Sequence, residues 1–298
     1  MDGVFYWLLN MSILGSVTGA LLYCLRFIPR FPKFFSYALW TAVALRFCVP
    51  AAVMSGLSFI GIFAPRSVPV IQTHAVSASM LNFLQAAKSY SPMVYRQESL
   101  ATLFSAAGIV WACIAALLML GTAALCLISS RRYKPCEKAD GFYICETLSS
   151  PAVCGVFRPR ILVPPAFASS PDLKYILAHE NIHVKRRDNL WRLVAVMIAC
   201  AHWFNPFVWL FVKAFFKDME TACDQKALAS MLPDERLSYA RALVAAASRD
   251  ALALSFGGNP VKTRVLNILT YKKMTAFSAC AFAALAVAVA LVLLTNPA

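Results

Sequence analysis

Long stretches of this chain carry no formal charge, and their length rules out an ordinary soluble fold. Gly3 to Leu25, Ala101 to Ser130 and Met274 to Ala298 are uncharged, and a fourth apolar run from Phe34 is broken only by Arg46 before Pro50 and Ala51. As a helix, each is long enough to cross about 30 Å of hydrocarbon. Of the 298 residues, 60% are hydrophobic and 14% charged, far from soluble usage. The expectation is four transmembrane helices near 4–25, 34–56, 103–128 and 275–295.

Basic residues set the orientation. Arg26, Arg30 and Lys33 follow the first run, Arg131, Arg132 and Lys134 follow the third, and Lys272 and Lys273 precede the last. Positive-inside reasoning puts both termini outside and residues 131–273 in the cytosol, with an outside loop near 57–102. A net charge of +14 then reflects anchoring at anionic membrane lipid; no soluble basic domain with a recognition helix speaks for direct nucleic-acid binding. Met1-Asp2 offers no positive region ahead of the first apolar run, so a cleavable signal peptide is not expected. Five cysteines fall in the apolar runs, five within 131–273 and none in the outside loop, a distribution that predicts reduced thiols.

The domains follow: three membrane helices in 1–130, an inserted cytosolic α+β domain in 131–273, and a fourth membrane helix in 274–298. Within the insert, Phe142–Cys145, Val153–Phe157 and Ile161–Val163 read as short strands separated by turn residues. Ser170 and Pro171 read as the cap and first residue of a helix with an apolar stripe at Leu173, Ile176 and Leu177. Leu193 to Val212 is uncharged and would pass for a fifth span. Asn205-Pro206 instead signals a new helix start, so residues 190–229 are expected to form a membrane-associated helical hairpin with a second arm near 206–229.

That first helix carries His179-Glu180-Asn181-Ile182-His183. Positions four apart share a helical face, so His179 and His183 can hold one zinc ion, and Glu180 lies where it can take a proton from water. A two-His zinc site needs a third protein ligand and an open position. Glu220 is the better candidate on the returning arm; Asp224, four residues on, can instead hold an imidazole by its second nitrogen. A solvated acidic face is the alternative for both. His202 reads as a structural cap rather than an oxyanion donor, and Arg46 as a structural lock within its span. A substrate strand could add along Cys154–Phe157 or Ile161–Val163.

The combination of His179–His183 with Glu220-Thr221-Ala222-Cys223-Asp224 resembles the membrane zinc peptidases of the BlaR/MecR type. It is more distantly similar to the HtpX and CAAX-prenyl membrane proteases. The resemblance extends to Leu39-Trp40, Arg46, Ser150–Pro159, Ile161–Pro164, Arg187-Asp188-Asn189, His202–Pro206 and Arg264-Val265. It implies a gluzincin-like domain in a multi-pass protein of the bacterial plasma membrane, with one Zn2+ held by His179, His183 and Glu220. Glu180 is then the catalytic base and Asp224 a partner of a ligand. The implied activity is a zinc metalloendopeptidase acting at the cytosolic face in regulated proteolysis or signalling. Its implied partner is a protein substrate such as a cytosolic transcriptional repressor, and a homodimer stays open. The alternative is a transducer whose metal domain signals, or is structural, without general protease activity. Members of the antibiotic-sensing branch carry a penicillin-binding domain after their last span; here the sequence stops at Thr295-Asn296-Pro297-Ala298, as either a sensorless relative or a fragment would, and with no Ser-x-x-Lys acylation motif on an outside domain antibiotic binding is not carried over.

Overall fold

A computed structural model describes residues 2–27, 32–49, 53–54, 98–132, 136–248, 260–271, 273 and 275–296. Most of the expected outside loop lies outside the described residues. The chain divides into two compact units, one made of 1–119, 197–214 and 276–298, the other of 120–196 and 215–275.

The first unit gathers apolar helices. α1 (Asp2–Leu25), α2 (Lys33–Cys48), much of α3 (Glu98–Arg132) and α10 (Ala276–Leu294) belong to it. α1 packs on α2, and α2 packs on α10. Only two described helices, over Trp7–Leu25 and Ser105–Arg131, are both long and apolar enough to cross a bilayer; Phe277–Val292 is apolar but shorter. Just 6% of the Ser105–Arg131 window is covered by protein. Leu117, Leu120, Leu125 and Ile128 lie bare along it, which water would not tolerate over such a length and a bilayer would. The chain is a membrane-associated, mainly α-helical protein with an inserted α+β region.

The segment expected to form a hairpin folds as two helices, α6 (Asp188–Ala201) and α7 (Pro206–Ala229), joined by a short turn. Asn205 sets that turn: its Oδ1 accepts from Phe207 N at 3.0 Å, and its amide donates to Ser12 Oγ and Ser16 Oγ on α1, both at 2.7 Å. A Cβ at Gly19 would stand 2.3 Å from the Phe211 ring, so that glycine allows α1 close approach to the second arm. His202 is buried against Phe47, its Nε2 3.1 Å from Phe47 O, which is the structural role expected of it. Arg46 is buried as well.

Among the described residues, the second unit holds a small mixed sheet and seven helices or parts of helices. Its strands are β1 (Glu137–Lys138), β2 (Tyr143–Ile144), β3 (Ala152–Cys154) and β4 (Arg160–Val163), in the order β1-β2-β4-β3. β2 runs parallel to β4, and the outer pairs are antiparallel. Ile161–Val163 is therefore interior to the sheet, which removes it as a docking edge for substrate and leaves β3. Residues 155–159 turn rather than continue β3: Gly155 sits at φ 93° with Arg158 O only 2.7 Å from where a Cβ would stand. Cys136 and Cys145 are joined as a disulfide, against the expectation of reduced thiols, because the β1–β2 pairing brings their Cα atoms to 4.8 Å.

α4 (Pro165–Ala168) leads into α5 (Leu173–Arg186), which begins two residues later than the sequence pattern predicts. Ser170 Oγ still accepts from Asp172 N at 3.2 Å, but in a turn ahead of the helix. The buried core joins Ile161 and Val163 of β4 to Tyr175 and Ile176 of α5. It continues through Ala227 and Leu228 of α7, Tyr239 and Ala242 of α8 (Glu235–Ser248) and Ile268 of α9 (Pro260–Leu269). Burying these side chains pins three helices around the histidine-bearing face of α5.

Candidate metal centre

His179 and His183 are both buried, one helical turn apart on α5, with Nε2 atoms 3.1 Å from each other. Their Nδ1 atoms point to acceptors. His183 Nδ1 lies 2.6 Å from Asp188 Oδ2, and His179 Nδ1 lies 2.8 Å from the Tyr239 hydroxyl. An imidazole that donates through Nδ1 presents a lone pair at Nε2. Two such lone pairs at this separation require a proton or a cation between them.

The turn at the end of α5 makes the Asp188 contact. Arg187 is left-handed, at φ 55°, and is the only non-glycine residue with positive φ among the described residues. This reversal starts α6 at once, so the first carboxylate of the new helix folds back beneath His183. Asp188 is fully buried and also takes Arg186 Nε at 3.1 Å and Nη2 at 3.0 Å. Arg186 Nη2 in turn donates to Met219 O at 3.2 Å, tying the end of α5 to α7.

α7 supplies the acids. Glu220 Oε2 lies 3.6 Å from His179 Nε2 and 3.7 Å from His183 Nε2, while its Oε1 accepts from Arg192 Nη2 at 2.6 Å. Asp224, one turn on, is buried and accepts from Arg264 twice at 2.8 Å and from the Tyr239 hydroxyl at 2.8 Å. His179 Nδ1 is 3.3 Å from Asp224 Oδ1, so the two are linked both directly and through Tyr239. Between the acids, Cys223 Sγ lies 3.4 Å from His179 O and 3.6 Å from His179 Nδ1. His179, His183 and Cys223 form a buried cluster that can hold a metal, with ligand atoms all within 4.8 Å of one another. Arg264 completes the enclosure, Nη1 3.5 Å from Glu220 Oε2 and Nη2 3.3 Å from His179 Nε2.

The acids and the thiol outweigh burial at both imidazoles. Burial alone would make His179 less basic, yet Cys223, Glu220 and Asp224 outweigh it and raise its pKa to about 10. Burial likewise opposes the charge on His183, but Asp188, Cys223 and Glu220 raise it to about 12. Glu220 is held well below the carboxylate range: burial works against its charge, and the two imidazoles and Arg264 overcome that. Burial and the Asp224 charge push the Tyr239 phenol well up, so it stays protonated and donates. Whatever makes protons welcome here also favours a metal cation.

Glu180 is half-buried beside His179 on α5. The Cys154 thiol at the end of β3 is raised to about 11, by burial and then by the Glu180 charge, which brings strand end and carboxylate into one neighbourhood.

The five residues that the sequence suggests for the metal site, His179, Glu180, His183, Glu220 and Asp224, all lie in the second unit, and His179, His183, Glu220 and Asp224 converge. Asp188, Tyr239, Arg192 and Arg264 are the contributors that sequence reasoning missed as site residues. In the sequence, Asp188 and Arg264 stand out as parts of the matching segments Arg187-Asp188-Asn189 and Arg264-Val265 rather than as members of the site. The available signal is an acid five residues beyond His183, just past the end of that helix.

Fold and site together define a membrane-associated helical protein with a buried metal-binding cluster in an inserted α+β region. The model of the BlaR1 peptidase M56 family matches residues 6–266, and the chain belongs to that family. It is similar to the regulatory protein BlaR1 of Bacillus licheniformis, 32% identical over 99 residues, which cover 33% of this chain and 16% of that protein. It is also similar to BlaR1 of Staphylococcus aureus, 28% identical over 134 residues, covering 41% and 23%. The methicillin resistance mecR1 protein of Staphylococcus aureus is 24% identical over 125 residues, covering 39% and 21%. The matched segments thus span less than a quarter of each of these longer relatives.

Proposed function

We propose that the chain is a membrane-bound zinc metalloendopeptidase, with one Zn2+ held by His179, His183 and Glu220. The carrying observation is the triangle of His179 Nε2, His183 Nε2 and Glu220 Oε2, with sides of 3.1, 3.6 and 3.7 Å. Tetrahedral zinc with bonds of about 2.0–2.2 Å sets its ligand atoms roughly 3.3–3.6 Å apart, so the donors fit the ion. Cys223 is the weaker third donor, because its sulfur faces Nδ1 of His179 rather than the gap between the Nε2 atoms. Asp188 fixes His183 in the tautomer that ligation needs, and Asp224 does so for His179 with Tyr239 between them.

Bound zinc would polarise a scissile carbonyl and acidify water. Glu180 is the base that takes the proton from the attacking water and returns it to the leaving amine. The outer edge of β3, ending at Cys154 near Glu180, is where an extended peptide would align as an added strand.

The topology that supports this reading has four crossings, by α1, α2, α3 and α10, with the inserted region in the cytosol. The 16 residues of α2 rise about 24 Å, short of a full span, and the residues that follow lie outside the described set. The BlaR1 relatives carry the name "regulatory protein", which favours regulated proteolysis of a cytosolic protein such as a transcriptional repressor over general degradation. The test is cleavage of the protein itself or of a co-expressed repressor by wild type and by Glu180→Gln. The variant should retain zinc and cut nothing; equal cleavage by both would refute the assigned base.

A further inference from the structure

We propose that Asn189 is a latch on the outer edge of β3, which a substrate strand must displace to reach the metal centre. The proposal rests on the edge-strand reading above. β3 has β4 on one side, and alternate residues of a strand direct their backbone groups to opposite edges. Asn189 Nδ2 donates to Val153 O at 2.8 Å and to Gly155 O at 3.0 Å. These carbonyls flank Cys154, Val153 O on the outer edge of β3 and Gly155 O at the turn just past its end, and an added strand would use both as acceptors. The latch sits at the end of β3 nearest the site, because Asn189 directly follows Asp188, which holds His183.

The orientation of the amide follows from chemistry. A guanidinium can only donate and a peptide carbonyl can only accept. Arg192, one turn along α6, donates from Nη1 to Asn189 Oδ1 at 3.3 Å, so the NH2 group must face β3. The other arm of Arg192 holds Glu220 Oε1 at 2.6 Å. One guanidinium thus joins the group covering the substrate edge to the carboxylate beside the two histidines. A peptide strand pairing with Val153 and Gly155 takes over both carbonyls, and Asn189 leaves them. Such a strand must offer N–H donors two residues apart, which excludes proline at either position.

The experiment uses the full chain in detergent micelles on a Glu180→Gln background, so that nothing is turned over. The probe is fluorescein-labelled, reduced and carboxymethylated α-lactalbumin, followed by anisotropy. Asn189→Ala frees the carbonyls, and Asn189→Asp sets oxygen against oxygen while keeping the Arg192 contact. Each should bind the probe about tenfold more tightly, the effect of releasing two neutral hydrogen bonds. A melting temperature and elution profile matching the parent protein separate tighter binding at the edge from capture by apolar surface that a damaged fold exposes. Val153→Pro removes the outward N–H of an edge strand, where proline is tolerated, and should weaken binding severalfold. Unchanged or weaker binding in both Asn189 variants, with Val153→Pro still weakening, overturns the latch and leaves the edge reading standing. No effect of Val153→Pro removes edge and latch together, and so does a failure of Asn189→Ala to bind the probe at all. Zinc content of the same samples reports separately on the metal reading.

Discussion

Asp188 offers the sharpest test of how the centre is held together, because one buried carboxylate serves two cations of different kinds. It accepts from His183 Nδ1 at 2.6 Å and pairs with Arg186 at 3.0 Å, with no exposed surface of its own. Asp188→Ala deletes both contacts. Losing the group that orients a ligating imidazole lowers metal affinity by about 10–100-fold. Arg186, whose side chain is only 10% exposed, keeps Met219 O but loses its carboxylate, and breaking such a buried pair destabilises the metal-free protein by about 3 kcal/mol. Asp188→Asn separates the two effects. Its amide oxygen can still accept from His183, while its NH2 group must face either the guanidinium or another donor. Zinc affinity should then fall less than in the alanine variant, with most of the stability loss retained. Competition with a chromophoric zinc chelator gives the affinities, and denaturant unfolding of the metal-free protein gives the stabilities. Zinc affinity within twofold of wild type in a folded Asp188→Ala protein would refute the orienting role. Equal zinc affinities in the alanine and asparagine variants would refute the division between the two contacts.

Zinc binding should release protons and strengthen as pH rises from 6 to 8. The acids around both imidazoles raise their pKa values above the ordinary range, so at neutral pH, before metal enters, a proton is held between their Nε2 atoms. Calorimetry in buffers of different ionisation enthalpy checks this, and a buffer-independent heat would count against it. By the same linkage, the stabilisation that these charged imidazoles give the metal-free fold is complete below about pH 6.5 and lost as pH climbs through the folded values. Glu220→Ala should reduce zinc affinity more than Cys223→Ser does; the reverse order in a chelator competition would make the thiol the third ligand. Asp224→Ala should weaken zinc binding about 10–100-fold, and Tyr239→Phe less, because the direct 3.3 Å approach of Asp224 to His179 survives. Matched losses in the two variants would show that the phenol carries the whole contact.

Much of the architecture is written in local pattern. Uncharged runs of bilayer length mark the apolar helices, since charge is what a hydrocarbon environment excludes. Asn205-Pro206 marks the start of α7, because a side-chain acceptor followed by a residue without N–H begins a helix wherever it occurs. The four-residue spacings of His179 with His183 and of Glu220 with Asp224 place each pair on one face, a consequence of helical pitch alone. What local pattern leaves undecided is which face meets which. Only the packing of α5, α7, α8 and α9 brings Tyr239 and Arg264 onto Asp224 and His179, from positions 60 and 85 residues from His179 along the chain. The order of the short strands, too, is set by long-range pairing: Ile161–Val163 is as apolar as an edge could be, yet parallel pairing with Tyr143–Ile144 makes it interior and leaves Ala152–Cys154 at the rim. The Cys136–Cys145 bridge depends on the same pairing, which thiol counts by region do not encode. Burial decides the rest, since a carboxylate such as Asp188 reads as surface charge in the sequence and becomes a partner of His183 only when water is excluded from around it.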